Sequence, residues 1–143
     1  MSIERAIHEH WSAYGPLSAL VPSDRVYTGL PPIRDENREP ITPPYVAITS
    51  EGETALTRTS SGTEIRVERI RFSIFSRSYD EARQIDAAIG DYFAGREFAW
   101  LRGRVLDVRP AGRTESEDPS DGVWRVARDF LFRLTDTGGS KLK

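Results

Sequence analysis

Two histidines are the first side chains in this sequence that could bind a metal ion or transfer a proton. His8 and His10 are two positions apart in a segment predicted to be helical. Positions two apart on a helix point in different directions, so this pair does not chelate one metal as an i, i+4 pair would. His10 adjoins the apolar stripe and is expected to pack, whereas His8 is expected to face water. The sequence therefore predicts neither a metal site nor a catalytic site here.

The chain also lacks the motifs of nucleophilic and cofactor-dependent catalysis. It contains no G-x-S-x-G elbow, no phosphate-binding loop and no dinucleotide fingerprint. Ser60, Ser61 and Gly62 are predicted to form a turn rather than to supply a nucleophile. Because the chain has no cysteine, disulfides, zinc–thiolate sites and cysteine nucleophiles are excluded. We therefore expect a protein that is not an enzyme and that needs no cofactor.

Acidic side chains are concentrated between residues 113 and 121, which we predict to be a loop. Its carboxylates belong to Glu115, Glu117, Asp118 and Asp121. They lack the spacing and the bidentate last ligand of a known calcium loop, so solvated carboxylates are the better interpretation. Asp86 and Asp91 lie away from the apolar stripe of a predicted helix and are expected to be solubilising charges.

Arginines cluster between residues 66 and 71, and clustered cations are what nucleic-acid binding requires. The cluster consists of Arg66, Arg69 and Arg71, with Glu64 and Glu68 alternating among them. This alternation favours salt bridges across strands or between subunits over recognition of DNA. The formal net charge of the chain is −2, so no overall field attracts it to nucleic acid or to anionic lipid.

The chain is organised around a strand and a helix between residues 64 and 95, and the strand positions the arginine cluster. Ile70, Phe72 and Ile74 alternate at period two, which places them on one face of a sheet. Ser78 followed by Glu81 predicts a capping box, in which each side chain binds the backbone N–H of the other residue. Apolar residues then recur at helical spacing, at Ala82, Ile85, Ile89 and Tyr92, with Ala88 and Phe93 widening the stripe.

The predicted strand changes the parity of its apolar residues partway along. Ile65 and Val67 occupy odd positions, whereas Ile70 and the apolar residues after it occupy even positions. A slip of one residue turns every side chain to the opposite face of a sheet. Two explanations stay open. Either a bulge lies near Glu68 and Arg69, or the tip of a hairpin packs its other face against something else.

The remaining segments supply partners for that strand and that helix. We predict a helix over residues 2–14, a helical turn over 16–21, and strands over 25–28, 45–56, 98–108 and 122–134, with a bend or bulge near Gly52. Residues 29–44 contain five prolines and are predicted to be a surface loop or a binding arm. The sequence thus predicts an α+β fold: a mainly antiparallel sheet with two helices packed on one face and a protruding β-hairpin.

The length of the chain predicts one domain over residues 1–135, followed by a flexible C-terminal tail over residues 136–143. Charge is present throughout the first twenty residues, so we expect no signal peptide. No apolar run approaches the roughly 18 residues of a membrane span. The sequence therefore predicts a soluble protein made inside a cell, without membrane contact.

Five short motifs follow one another along the chain. They are PLSALV, RVYTGLPP, PPYVAI, IRFSIFSRSYDEARQIDAAI and WRVARDFLFRL. Their order resembles that of the tail terminator, or tail-completion, proteins of long-tailed bacteriophages and of gene transfer agents. The resemblance covers residues 3–134 and contains no catalytic signature.

The resemblance implies a structural role in the virion, at the junction of head and tail. Such proteins assemble in the host cytoplasm as a homo-hexameric ring on the last ring of the tail tube protein. The ring ends elongation of the tube and presents a surface to the head–tail connector or head completion protein. DNA passes through the lumen without specific binding, and no cofactor is involved.

In such a ring we expect the arginine-rich hairpin at the contact between subunits and the acidic segment along the lumen. The interface residues would be Ile65, Arg66, Val67, Glu68 and Arg69. The lumen residues would be Glu115, Glu117, Asp118 and Asp121, whose like charge keeps DNA from sticking. The alternatives are another head–tail connector or tail-tube ring component, and a small binding domain that uses the loop at 29–44.

Overall fold

One six-stranded sheet and three helices form the part of the chain that the computed structural model describes, which is residues 3–29, 42–58, 64–100, 103–118 and 122–136. The helices are α1 (Ile3–Ala13), α2 (Gly15–Leu20) and α3 (Tyr79–Phe93), with a 3-10 turn at Ser23–Arg25. The strands are β1 (Val26–Thr28), β2 (Tyr45–Arg58), β3 (Glu64–Ser76), β4 (Phe98–Trp100), β5 (Gly103–Asp118) and β6 (Val123–Asp136). The predicted α+β class is confirmed.

The sheet has the strand order β1-β2-β3-β6-β5-β4, with β1 parallel to β2 and every other pair antiparallel. β3 is central, because β2 pairs with one of its edges and β6 with the other. The predicted hairpin is present as β2 and β3, and β6 pairs with β3 from Glu64 to Ser76. The turn of the hairpin at 59–63, and residues 30–41 of the predicted loop or arm, lie outside the described residues.

Both long helices pack on the same face of the sheet, as predicted. The aromatic ring of Phe72 on β3 lies 6.5 Å from Trp11 of α1 and 5.3 Å from Phe93 of α3, measured between centroids. All three side chains are fully buried. We call this side of the sheet the helix face and the opposite side the open face. Removing these side chains from water supplies the main driving force for folding.

The N-terminus of α3 carries a modified form of the predicted capping box. The Ser78 hydroxyl accepts the backbone N–H of Glu81 at 3.2 Å, as expected. The Glu81 carboxylate instead accepts the Ser76 hydroxyl at 2.6 Å, and the oxygen of that hydroxyl accepts the Ser78 N–H at 3.0 Å. The Ser76 hydroxyl therefore takes the place of the direct bond between the Glu81 carboxylate and the Ser78 N–H. The apolar stripe of α3 is buried as predicted, at Ala82, Ile85, Ile89, Tyr92 and Phe93.

The change of parity in β3 does not come from a bulge in that strand. Its pairing with β6 runs without a shift from Glu64 to Ser76, so the first of the two explanations left open, a bulge of β3 near Glu68 and Arg69, is excluded. The irregularities lie in β2, between Ser50 and Ala55, where the predicted bend at Gly52 has a positive φ of 112°. Because β3 alternates regularly, Ile65 and Val67 lie on the open face, opposite Phe72.

The second half of the sheet differs from the prediction in two respects. The single strand expected over 98–108 is two strands, β4 and β5, which pair antiparallel to each other. The prediction of an acidic loop over 113–121 is wrong for residues 113–118. β5 continues to Asp118, which pairs with Val123. β6 also continues to Asp136, and the rest of the predicted tail, 137–143, lies outside the described residues.

Candidate subunit interface

The open face of the sheet carries a compact cluster of charged side chains at its centre. Asp129 on β6 is 4% exposed and accepts hydrogen bonds from two arginines of β3. The Nε atom of Arg69 donates to Oδ2 at 2.7 Å, and Arg71 donates from Nε to Oδ1 at 2.8 Å and from Nη2 to Oδ2 at 3.1 Å. The Nη1 atom of Arg71 also lies 3.2 Å from Oε1 of Glu51. One nearly buried carboxylate thus fixes two neighbouring guanidinium groups on a face that neither long helix covers.

Hydrogen bonding decides the protonation state of this cluster. Burial by itself raises the pKa of Asp129, but the hydrogen bonds from Arg71 and Arg69 outweigh it and hold that pKa below its usual value. The hydrogen bonds that Arg71 donates to Asp129 also raise the pKa of Arg71. Asp129 and Arg71 are therefore both charged at neutral pH.

Asp129→Asn is expected to lower the free energy of unfolding by about 2 kcal/mol at pH 7, because it weakens charge-assisted hydrogen bonds to both arginines. A carboxyl whose folded pKa is depressed contributes stability above its unfolded pKa, about 3.9, and loses it as the pH falls through the folded value. The difference between wild type and variant should therefore shrink below about pH 4. Urea unfolding between pH 3 and pH 7 measures it.

Asp107→Asn is the matched control for that measurement. Asp107 binds Arg109 at 2.7 Å on the same face, but the Arg109 side chain is 70% exposed. An ion pair so open to water contributes less than about 1 kcal/mol. A loss of stability at Asp129→Asn no larger than that of the control, or one independent of pH, would contradict the assignment.

Two depressions lie in the open face on either side of the charged cluster. The larger, of about 500 Å³, includes Arg71, Ser73, Phe75 and Arg125 in its lining. The smaller, of about 220 Å³, is lined by Val67, Asp107, Arg109, Leu131 and Arg133. Val67 and Leu131 are only partly buried. The end of the open face nearer the hairpin turn therefore presents apolar side chains among charged ones, a composition that suits the core and rim of an interface.

The structure divides the five predicted interface residues between the two faces of the sheet. Ile65, Val67 and Arg69 share the open face. Arg66 and Glu68 lie on the helix face. Glu68 is 8% exposed, and its Oε1 atom lies 3.8 Å from Nε of Arg66. Burial raises the pKa of Glu68, and its hydrogen bond with Ser50 and the charge of Arg66 offset only part of that effect.

Three of the four predicted lumen residues, Glu115, Glu117 and Asp118, belong to strand β5 and not to a loop. The carboxylate of Glu115 accepts a hydrogen bond from the Tyr79 hydroxyl at 2.9 Å and forms an ion pair with Arg113. Glu117 and Asp118 continue β5, and Asp121 lies outside the described residues. Their place in a lumen stays a prediction.

Asp86 is a buried structural group that the sequence interpretation missed. It is 6% exposed, and it receives Arg113 Nε at 2.8 Å and Arg128 Nη1 at 2.9 Å. The expectation of a solubilising charge was therefore wrong for Asp86. Arg128 carried the signal, because it interrupts an otherwise apolar face of β6 and a cation in that position needs a buried partner.

The histidines serve packing and local hydrogen bonding. His10 Nδ1 lies 2.6 Å from the Tyr92 hydroxyl, and its ring centroid is 4.2 Å from that of Phe98. Burial lowers the pKa of His10, and the nearby charge of Arg96 acts in the same direction. His8 does not simply face water, because its Nε2 lies 2.9 Å from the Ser23 carbonyl oxygen.

Neither a metal site nor a membrane-spanning helix is found within residues 3–29, 42–58, 64–100, 103–118 and 122–136. No group of three or more His, Cys, Asp or Glu side chains in those ranges is arranged to hold a metal ion. None of the helices there has the length and apolar character needed to cross a membrane.

Comparison with known proteins gives a family and a structural neighbour. The family model described as tail completion protein gp17 matches residues 5–135. A chain in the structure of the virion of a native gene transfer agent particle has a TM-score of 0.73 with this one, at 21% sequence identity. The match covers 94% of this chain and 95% of that chain. At that identity, the likeness shows a shared fold. No curated protein matches the sequence.

Proposed function

Because this chain belongs to the tail completion protein gp17 family, we propose that it forms a homo-hexameric ring that caps the tail tube. The family is one of structural tail proteins, so the chain is a structural component of a phage-type tail. The finer proposal is that the ring ends elongation of the tube and joins the tail to the head–tail connector. The likeness in fold to a chain of a gene transfer agent virion supports a place in the virion.

The observation that carries the ring proposal is the hairpin end of the open face. Ile65 and Val67 lie there partly exposed, and Val67 lines the smaller depression together with Leu131. Neither long helix of the same subunit packs on that face. A ring with cyclic symmetry needs two different complementary patches on each subunit, and an apolar patch on a sheet face suits one of them. We propose that this patch packs on the neighbouring subunit, with Arg69 at its rim.

We also propose roles for the other predicted residues. Arg66 and Glu68 support the contact from the helix face, where Arg66 lies 5.9 Å from the ring centroid of Trp100. The acidic end of β5, with Glu115, Glu117 and Asp118, would line the lumen together with Asp121. Carboxylates there repel the phosphates of passing DNA. A ring structure with these residues on its outer rim would rule out the lumen assignment.

Capping of purified tail tubes tests the proposed function. Tubes incubated with the protein are expected to carry one ring at an end and to stop growing there when fresh tube protein is added. Tubes without the protein continue to grow under the same conditions and serve as the control. Tube lengths measured by negative-stain electron microscopy report the outcome. Unchanged elongation in the presence of excess protein would contradict the proposal.

A further inference from the structure

A row of aromatic side chains crosses the open face at the end away from the hairpin turn. Tyr27, Tyr45 and Phe75 follow one another across β1, β2 and β3, with centroid separations of 6.1 Å and 4.7 Å. Arg125 on β6 extends the row, with its guanidinium carbon 6.0 Å from the Phe75 centroid. The three aromatic side chains are partly exposed and Arg125 is exposed. We call these four residues the aromatic row.

Arg125 differs from the two arginines of β3 that bind Asp129. Arg69 and Arg71 are bound to Asp129, whereas Arg125 is held by the Phe75 ring and by a hydrogen bond to the Ser73 hydroxyl at 3.3 Å. Within the described part of the chain, no carboxylate forms an ion pair with it. Without an ion pair in that part of the chain, it lies at the rim of the larger depression, beside Phe75, while Glu51 in the same lining is paired with Arg71.

We propose that the aromatic row binds a carboxylate-bearing segment of the tail tube protein at the end of the tube. This inference rests on the proposed capping function and names the surface that would perform it. A carboxylate would pair with the planar guanidinium of Arg125, while an adjoining apolar side chain would cover Phe75. Aromatic residues and arginine are the side chains that dominate binding energy at protein interfaces.

The position of the row fits a contact separate from the one between subunits. Ile65 and Val67 lie at the hairpin end of the open face, and the Asp129 cluster stands between them and the aromatic row. One subunit can therefore engage a neighbour at one end and the tube at the other. The Tyr45 and Phe75 rings are already stacked at an interplanar angle of 17°, so little side-chain freedom remains to be lost on binding.

Arg125→Glu tests this assignment in the tube-capping assay. Rings should form as in wild type, because Arg125 is exposed and lies away from the hairpin end. The protein concentration needed to cap tubes should rise about tenfold or more, because the new carboxylate repels the one it should bind. Arg125→Lys keeps the charge and should restore part of the capping. Mass in solution and tube lengths by electron microscopy measure the two effects.

Arg83→Glu is the matched control, since Arg83 is also exposed and lies 5.7 Å from the centroid of Tyr79, on α3. It should cap tubes like wild type. Capping by Arg125→Glu at the wild-type concentration would overturn the inference, as would capped tubes that fail only to join heads. Loss of rings in Arg125→Glu would also overturn it, because the residue would then serve the subunit contact. Failure of the wild-type protein to cap would instead contradict the proposed function itself.

Discussion

Replacing both Ile65 and Val67 with aspartate is expected to abolish ring formation while each subunit stays folded. Both side chains are partly exposed on the open face, so new carboxylates there remain in contact with water in the single subunit. In the proposed contact the same carboxylates would be buried against apolar groups, which costs several kcal/mol for each charge left without a partner. Mass in solution, or rings seen on tube ends by electron microscopy, reports assembly. Circular dichroism reports whether the subunit is folded.

A control with the same change of charge isolates the effect of position. Gln84→Glu with Ala87→Glu adds two negative charges on the exposed side of α3, and this protein should assemble as wild type does. Rings formed equally well by the Ile65 and Val67 variant would refute the proposed contact. Loss of rings in both proteins would show a general effect of charge and would count against the assignment to the hairpin.

Asp86→Ala is expected to lower the free energy of unfolding by about 3 kcal/mol, the largest effect on stability that we predict for a single charged residue. The change leaves the Arg113 and Arg128 guanidinium groups without the carboxylate that both bind. Breaking a buried ion pair from one side costs about 3–5 kcal/mol. The lower end applies because the two arginine side chains are 34% and 21% exposed. Urea unfolding at pH 7 gives the value.

Asp91→Ala is the natural comparison for Asp86→Ala, because the two residues lie on the same helix and look alike in the sequence. Asp91 is exposed, so its loss should change the stability by less than about 0.5 kcal/mol. Equal effects at the two positions would mean that the ion pairs of Asp86 contribute nothing beyond an ordinary surface charge.

The sequence predicted the centre of the fold well, because its signals there are local and agree with one another. Ile70, Phe72 and Ile74 alternate, and the helix after them starts at a serine cap and keeps an apolar stripe at helical spacing. Each signal acts within a few residues and needs no knowledge of distant partners. The burial of that strand and helix against each other follows directly from the pattern.

The second half of the sheet was less predictable, because its structure depends on pairing between distant segments. Residues 109–118 contain few apolar side chains, and they form a strand because β6 pairs with them as far as Asp118. Asp86 likewise depends on two arginines that lie 27 and 42 residues away. Charge patterns in a sequence do not reveal which carboxylate will be buried with which cation.

The proposed interface shows a third kind of limit. Alternating charges marked residues 65–69 as one group, but a strand sends successive side chains to opposite faces, so only Ile65, Val67 and Arg69 share the open face. The parity change was visible in the sequence, and the uninterrupted register of β3 with β6 removed the bulge as its explanation. The structure thereby explains the parity change and identifies a surface, at Ile65 and Val67, on which the proposed contact can be tested by mutation.

An electron microscopy map of the assembled particle tests the central claim most directly. We predict a hexameric ring of this chain between the last ring of tube protein and the head–tail connector, with Ile65 and Val67 at the contact between its subunits. Density for the chain repeated along the tube, or located at the end of the tail away from the head, would contradict the account.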